Sequence, residues 1–230
     1  MIDWHSHVLP GVDDGSRDLT ESLLMLTSLG EQGVEYVVAT PHFLANNESV
    51  EDFLIRRDAA HTLLCDSLPP GVPKVIRGAE VKYYSGISNM AGLERLTVEN
   101  TRLLLLEMPM THWTDYTVKE IIQLANASTV KPILAHFERY LQFQNEKSIL
   151  RLLDNGVLMQ VNASFFINAF SRGKALKFLE SGRIHFIGSD AHNMTSRPPR
   201  LGEAYGLIGK KLGEDYVYQM NEYGRDMLKI

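Results

Sequence analysis

Two histidines stand two positions apart near the start of the sequence, at His5 and His7. Residues i and i+2 of a β-strand point to the same face, so these imidazoles can aim at one point. Neutral imidazole is a common ligand for divalent metal ions. Asp14 follows a Pro10-Gly11 segment that indicates a turn. The pattern suggests the start of a metal site, although two ordinary histidines at a strand end would give the same pattern.

Further residues of metal-binding type occur along the whole chain, and the complete set has imidazoles and carboxylates but no thiolate. The set is His5, His7, Asp14, His42, Glu80, Glu107, His136, Asp190 and His192. So many ligands are too many for one ion and suit a cluster of two or three. Mixed nitrogen and oxygen ligands favour manganese, iron or zinc over magnesium or calcium. Any one of these residues alone is more often structural, whereas the whole set indicates metal binding.

Strand-like and helical patterns alternate along the chain, and these elements must position the candidate ligands. After a strand at the start of the chain, short apolar runs predict strands at 34–40, 75–80, 102–107, 131–136, 157–162 and 184–190. Helical spacing predicts helices at 17–31 with Ser16 as N-cap, 51–66, 114–126, 145–155, 164–181 with a break near 171–173, 201–212 and 214–222. About seven β–α repeats favour an α/β fold with a parallel sheet or barrel.

Polar residues lie at or just past the predicted C-terminal ends of these strands. They are His7, His42, Glu80, Glu107, His136, Asn162 and Asp190. In a barrel of parallel strands those ends converge on one face, which is where active sites lie. Residues that are far apart in the sequence are therefore expected to point into one bowl.

Composition limits the classes of protein that fit this pattern. The chain has 230 residues, 44% hydrophobic and 22% charged, and one domain over residues 1–230 is expected. Its net charge of −5 argues against nucleic-acid binding. The single cysteine, Cys65, fits a reducing compartment. No signal peptide and no apolar run of the roughly 20 residues that span a bilayer is visible, so we expect a cytoplasmic protein without stable membrane insertion.

Six motifs occur together in this sequence. They are His5-Ser6-His7-Val8-Leu9-Pro10-Gly11-Val12-Asp13-Asp14-Gly15, Pro41-His42, Gly78-Ala79-Glu80, Ala135-His136-Phe137-Glu138-Arg139-Tyr140, Ser189-Asp190-Ala191-His192-Asn193 and Arg197-Pro198-Pro199. With Glu107, they resemble the PHP (polymerase and histidinol phosphatase) family. The sequence is most similar to the family's branch of bacterial capsule-linked, manganese-dependent protein tyrosine phosphatases. The resemblance runs from Ile2 to about Gly209.

The resemblance implies a distorted seven-stranded (β/α) barrel of TIM-like type and a single PHP-type metallophosphatase domain. It also implies three divalent ions, with manganese expected first and iron or zinc as alternatives. By this similarity His5, His7, Glu80 and Asp190 hold one ion, Glu80, Glu107 and His136 a second, and Asp14, His42 and His192 the third. Asp14 is therefore not expected to share an ion with His5.

The resemblance also assigns contacts with the substrate phosphate to Arg139 and Arg197. The alternative for Arg139 is a surface salt bridge. The alternative for Arg197 is a capping or surface role, with Arg200 as a nearby competitor. Three divalent ions outweigh four carboxylates, so a phosphate dianion is attracted. Metal-bound water loses its proton near neutral pH, and no side-chain nucleophile is then required. His42 and His192 remain open as acids for the leaving group.

The expected function is hydrolysis of phosphotyrosine on a protein, in particular the tail of a tyrosine kinase that controls capsular or exopolysaccharide synthesis. A small phosphoester, such as histidinol phosphate or a nucleotide, is an alternative substrate. A non-catalytic, metal-stabilised module that docks on a kinase is a further alternative. A cysteine phosphatase does not fit, because the position six residues after Cys65 is Gly71 rather than arginine. Cys65 is instead expected to be a buried structural thiol.

Overall fold

The structure is a computed structural model that describes residues 1–127 and 129–230. Its strands are β1 (Ile2–Ser6), β2 (Tyr36–Ala39), β3 (His42–Phe43), β4 (Lys74–Arg77), β5 (Glu80–Lys82), β6 (Leu103–Glu107), β7 (Lys131–Leu134), β8 (Leu158–Asn162) and β9 (Phe186–Gly188). Its helices are α1 (Leu19–Glu31), α2 (Val50–Cys65), α3 (Asp115–Asn126), α4 (Glu146–Asp154), α5 (Ala163–Ile167), α6 (Arg172–Glu180), α7 (Leu201–Leu212) and α8 (Glu214–Leu228). Short 3₁₀ turns occupy Ile87–Asn89, Leu93–Leu96 and Phe137–Gln142.

The paired strands run parallel and form a mixed α/β fold. One sheet has the order β1-β2-β4, and a second, curled sheet of six strands has the order β3-β5-β6-β7-β8-β9. The expected count of seven strands is not confirmed, because nine strand segments occur in the two described ranges. The difference comes from two predicted strands that are each interrupted. β2 pairs with β4, and after both interruptions β3 pairs with β5 in the same direction.

The interruptions have local causes in the sequence. Pro41 separates β2 from β3, and proline has no N–H to donate to a sheet. Gly78 and Ala79 separate β4 from β5. A Cβ atom on Gly78 would lie 3.2 Å from Cγ1 of Val38, so the chain passes the neighbouring strand very closely there. Glu80 N then donates to Pro41 O at 3.0 Å, and pairing resumes with Glu80 at the start of β5.

The last strand lies beside the first. Asp190 N donates to His5 O at 2.7 Å, and His7 N donates to Ala191 O at 2.9 Å. In β6, Leu104 and Leu106 belong to the main hydrophobic cluster and Leu103 and Leu105 to a second one. This strand is therefore buried on both faces, as its continuous apolar run predicts.

The helices follow the predicted order with small changes at their ends. The predicted N-cap Ser16 is wrong: helix α1 begins after Asp18, whose side chain accepts a hydrogen bond from Glu21 N. Ser16 instead donates from its hydroxyl to Asp18 O at 2.9 Å. The predicted break near 171–173 is confirmed, because α5 ends at Ile167 and α6 begins at Arg172. None of the helices in the described ranges is long and apolar enough to cross a membrane.

Gly188 in β9 should tolerate no side chain. A Cβ atom there would lie 2.5 Å from His5 Cβ and 2.8 Å from His5 N. We expect Gly188→Ala to lower the free energy of unfolding by about 1–3 kcal/mol through overpacking. Gly206→Ala is the control, because this exposed helical site has no atom within 4 Å of the new methyl group. It should raise stability by up to ~1 kcal/mol.

Urea denaturation in excess chelator measures both variants without a contribution from bound metal. A Gly188→Ala protein as stable as the parent would contradict the close approach of β9 to β1.

Candidate metal centre

Four ligand atoms from three strand ends form a compact cage. His5 Nε2 lies 3.1 Å from His7 Nε2, and these two atoms lie 3.2 and 3.4 Å from Glu80 Oε2. Asp190 Oδ1 lies 3.6 Å from both imidazole nitrogens. Ligand atoms about 2.1 Å from one ion lie about 3.0–3.4 Å apart at tetrahedral or octahedral angles. The four atoms therefore have the separations of a shell around one divalent ion.

Glu80 connects this cage to neighbouring ligand groups. Its Oε1 lies 2.9 Å from His136 Nε2, and its Oε2 lies 3.0 Å from His42 Nδ1. Glu107 groups with His42 and Glu80, with ligand atoms within 4.8 Å of one another, whereas the resemblance implies a group of Glu107 with His136. Lys82 Nζ lies 3.8 Å from Glu107 Oε2, so this carboxylate also faces a cation at the end of β5.

A further group lies on the more exposed side of the bowl. Asp14 Oδ1 lies 3.4 Å from His42 Nε2 and 3.6 Å from His192 Nε2, and the Asp14 side chain is 67% exposed. His7 also belongs to this group, so one imidazole faces two candidate ion positions. Asp14 does not group with His5 among the described residues. The turn at Pro10-Gly11 lets one short segment contribute to two groups.

Two buried imidazole nitrogens fit a metal-binding role. His136 Nδ1 and His192 Nε2 have no hydrogen-bond partner in the part of the chain that the structure describes. Buried polar atoms are normally hydrogen-bonded, so such atoms need an explanation. A metal ligand explains His192 Nε2 directly, since this atom already faces the Asp14 carboxylate. The donor set of imidazoles and carboxylates fits divalent transition metals.

Two candidate ligands have left-handed backbones. His136 has φ of 32° and Asp190 has φ of 52°, values that L-residues rarely adopt. Each such residue costs roughly 1–3 kcal/mol and persists only where its surroundings hold it. His136 N donates to Gln160 Oε1 at 2.6 Å, and Asp190 N donates to the backbone of His5. The backbone is thus strained at the points where side chains must face the bowl.

Asp13 is a site residue that the sequence reasoning did not select. Its Oδ2 lies 2.6 Å from His7 Nδ1 and accepts from His42 N at 2.9 Å, and its Oδ1 accepts from Gly15 N at 3.0 Å. Burial alone would raise the pKa of Asp13, but its hydrogen bond with His7 holds that pKa well below the ordinary value. The carboxylate therefore directs His7 Nε2 toward the cage. The adjacent pair Asp13-Asp14 was the signal in the sequence.

Amide side chains form a second support, and Gln160 was also missed. Gln160 Oε1 lies 3.3 Å from His5 Nδ1 and also accepts from His136 N. Asn162 Nδ2 donates to Asp190 Oδ2 at 2.8 Å. Gln160 Nε2 donates to Asn162 Oδ1 at 3.1 Å, which links the two amides. Partners of this kind fix the orientation of metal ligands.

Both predicted arginines face the same candidate ligand. Arg139 lies 2.5 Å from Asp190 Oδ2, and Arg197 lies 2.8 Å from Asp190 Oδ1, with the two side chains 37% and 39% exposed. Arg200, the competitor of Arg197, pairs with Glu203 at 2.6 Å. A cavity of about 250 Å³ opens beside Asp190, and all three arginines line it. Two guanidinium groups are therefore placed where an anion could approach the cage.

Cys65 lies outside this constellation. It is half-buried rather than buried, and its Sγ lies 3.4 Å from His61 Nε2 on the same helix. Burial raises the pKa of the Cys65 thiol, which disfavours the thiolate. The structure gives this cysteine none of the features of a catalytic nucleophile.

A parallel α/β fold with clustered imidazoles and carboxylates at its strand ends defines a candidate metallohydrolase. The chain belongs to the capsular polysaccharide synthesis CpsB/CapC family, whose model matches residues 1–226. This membership confirms the resemblance to the capsule-linked branch.

Individual relatives share nearly the whole chain. The tyrosine-protein phosphatase CpsB of Streptococcus pneumoniae is 33% identical over 234 residues, which cover 93% of this chain and 91% of the relative. Tyrosine-protein phosphatase YwqE of Bacillus subtilis (strain 168) is 28% identical over 235 residues, with coverage of 100% and 92%. A chain from the crystal structures of YwqE and S. pneumoniae CpsB, described as metal-dependent tyrosine phosphatases, has a TM-score of 0.83 at 25% identity. That match covers 99% of this chain and 94% of the other.

Asp13 should control metal affinity without being a ligand itself. We expect Asp13→Asn to weaken binding of Mn²⁺ by roughly 10- to 100-fold, because the carboxylate that orients His7 is lost. Competition with a fluorescent chelator measures this affinity. Asp215→Asn is the control, since Asp215 is an exposed residue of α8. Equal metal affinity for both variants would contradict the role assigned to Asp13.

Proposed function

We propose that this protein is a metal-dependent phosphatase that hydrolyses phosphotyrosine on proteins. The observation that supports this most directly is the cage of His5, His7, Glu80 and Asp190, which lies beside Arg139 and Arg197. Metal ligands and guanidinium groups at one cavity suit the binding and hydrolysis of a phosphate ester. The relatives named tyrosine-protein phosphatases support the choice of phosphotyrosine.

We assign three divalent ions to the bowl, with manganese as the first candidate and iron or zinc as alternatives. His5, His7, Glu80 and Asp190 hold one, Glu80, Glu107 and His136 a second, and Asp14, His42 and His192 the third. The separations within the cage support the first assignment, and the grouping of Asp14 with His42 and His192 supports the third. The grouping of Glu107 with His42 favours a position between the second and third ions.

Bound divalent ions lower the pKa of water to near neutrality and neutralise the charge of the phosphate. The chain's own residues orient the reaction. Asp13 and Gln160 fix the imidazoles of His7 and His5, and Asn162 fixes the Asp190 carboxylate. Arg139 and Arg197 bind the non-bridging phosphate oxygens, which they reach because more than a third of each side chain is exposed. The tyrosine leaving group has a pKa of about 10, so it departs with less protonation than an alkoxide.

The substrate protein in this proposal is a tyrosine kinase that controls capsular or exopolysaccharide synthesis, and its tail carries the phosphotyrosine. The family's link to capsular polysaccharide synthesis supports this choice. We infer a cytoplasmic location and one metallophosphatase domain over residues 1–230. We also infer that each interrupted strand pair, β2 with β3 and β4 with β5, corresponds to one strand of a distorted seven-stranded barrel of TIM-like type.

The proposed reaction requires metal and not the thiol. With added Mn²⁺, the protein should hydrolyse p-nitrophenyl phosphate and a phosphotyrosine peptide, and excess EDTA or His136→Ala should abolish both reactions. Cys65→Ser should retain the full rate. Faster turnover of histidinol phosphate or of a nucleotide than of the peptide would replace the proposed substrate. If the Mn²⁺-loaded protein hydrolyses none of these compounds, the non-catalytic docking module is favoured instead.

The three arginines at the cavity should differ in their effect. We expect Arg139→Ala and Arg197→Ala each to lower kcat/KM for the phosphotyrosine peptide by roughly 100-fold, because each removes a preorganised charge from the phosphate. Arg200→Ala should change kcat/KM little, since its guanidinium is paired with Glu203. Steady-state kinetics of the three variants makes the comparison. A larger loss for Arg200→Ala than for Arg197→Ala would exchange their roles.

A further inference from the structure

A second, wider cavity adjoins the one beside Asp190. It has a volume of about 540 Å³, against about 250 Å³ for the first, and Arg139 and Ser164 line both. We call this second cavity the trough. Its further walls include Glu138, Gln142, Asn168 and Lys174. Because the two cavities share walls, a chain bound with its phosphate at the cage can continue into the trough.

The accessible charge in the trough is positive. Lys174 is exposed in α6 and makes no salt bridge within the described part of the chain; its Nζ lies 5.4 Å from the centre of the Phe178 ring. Arg139 is the other cation at the trough, on the side toward Asp190. Glu138 is the one acid among the residues that line it. Glu138 Oε1 accepts from Asn162 N at 3.2 Å, and Glu138 Oε2 is buried away from solvent. An acidic side chain in the trough would therefore meet Lys174 rather than a carboxylate.

An exposed aromatic residue stands at the rim of the trough. Phe170 is 99% exposed and lies between Asn168 and Ser171, which both line the trough. Its turn is held in place, because Phe170 N donates to Asn168 Oδ1 at 2.9 Å and Ser171 Oγ donates to Phe165 O at 2.8 Å. A fully exposed phenyl ring on a hydrogen-bonded turn can bury apolar surface only against a binding partner.

We propose that the trough binds the polypeptide that flanks the phosphotyrosine, with an acidic residue facing Lys174 and an apolar side chain packing on Phe170. This inference rests on the proposed function and adds a preference for substrate sequence to it. The volume of the first cavity suits a phosphorylated ring, whereas the trough is too wide for a small phosphoester. Side chains along the trough, such as Gln142 and Asn168, can hydrogen-bond a peptide backbone. The trough thus selects an extended, acidic segment.

The test compares two phosphotyrosine peptides, one flanked by Asp and Leu residues and one flanked by Lys and Leu residues, with p-nitrophenyl phosphate as the small substrate. The parent should have the lower KM for the acidic peptide, and this preference should weaken as salt rises. Lys174→Glu should raise KM for the acidic peptide roughly fivefold and lower it for the basic peptide. Phe170→Ala should raise KM for both peptides by roughly threefold to tenfold. Neither variant should change kcat/KM for p-nitrophenyl phosphate.

Lys177→Glu is the matched control, because Lys177 is exposed on the same helix but does not line the trough. It should leave the ratio of the two peptide KM values unchanged. The inference is overturned if Lys174→Glu leaves that ratio unchanged, or if Lys177→Glu shifts it equally. A parent protein that hydrolyses neither peptides nor p-nitrophenyl phosphate would overturn the proposed function itself. A parent active on all three substrates without a charge preference would overturn only the role of the trough.

Discussion

The rest of the site depends on the buried carboxylate of Glu80. Its side chain is 1% exposed, and imidazole nitrogens of His5, His7, His42 and His136 lie within 3.4 Å of its oxygens. Removing a lone carboxylate from water costs several kcal/mol. Burial opposes the ionised form of Glu80, but these histidines, beginning with His5, hold its pKa well below the ordinary value. The strands that carry these residues must therefore end at one place.

Much of this convergence could be predicted from the sequence, because it follows from periodicity. The run Arg102–Glu107 is apolar and ends in an acid, which marks both a buried strand and the strand end that faces the bowl. The same reasoning located His136 after β7 and Asp190 after β9. The polar position of Asn162 was also seen, although its hydrogen bond to Asp190 was not. Patterns of this kind report burial and direction, and these are the properties that determine a parallel α/β fold.

The remainder depends on three-dimensional detail that a linear pattern does not contain. Asp13 and Asp14 are chemically alike, and only the turn decides which one contacts His7 Nδ1. The strand interruption near Gly78 depends on the side chain of Val38 in a neighbouring strand. Gln160 is indistinguishable in sequence from any buried polar residue of a strand. Neighbouring strands, and not the local sequence, determine these contacts.

The position of β9 against β1 also sets an order of events in time. The cage joins His5, near the start of the chain, to Asp190, whose backbone N–H donates to His5 O. A ribosome releases the first strand long before Asp190 has been made, so His5 and His7 wait for their last partner through most of synthesis. Metal loading is therefore a late event in the life of each chain. A nascent chain that terminates before β9 has a nearly complete set of histidines but no finished cage.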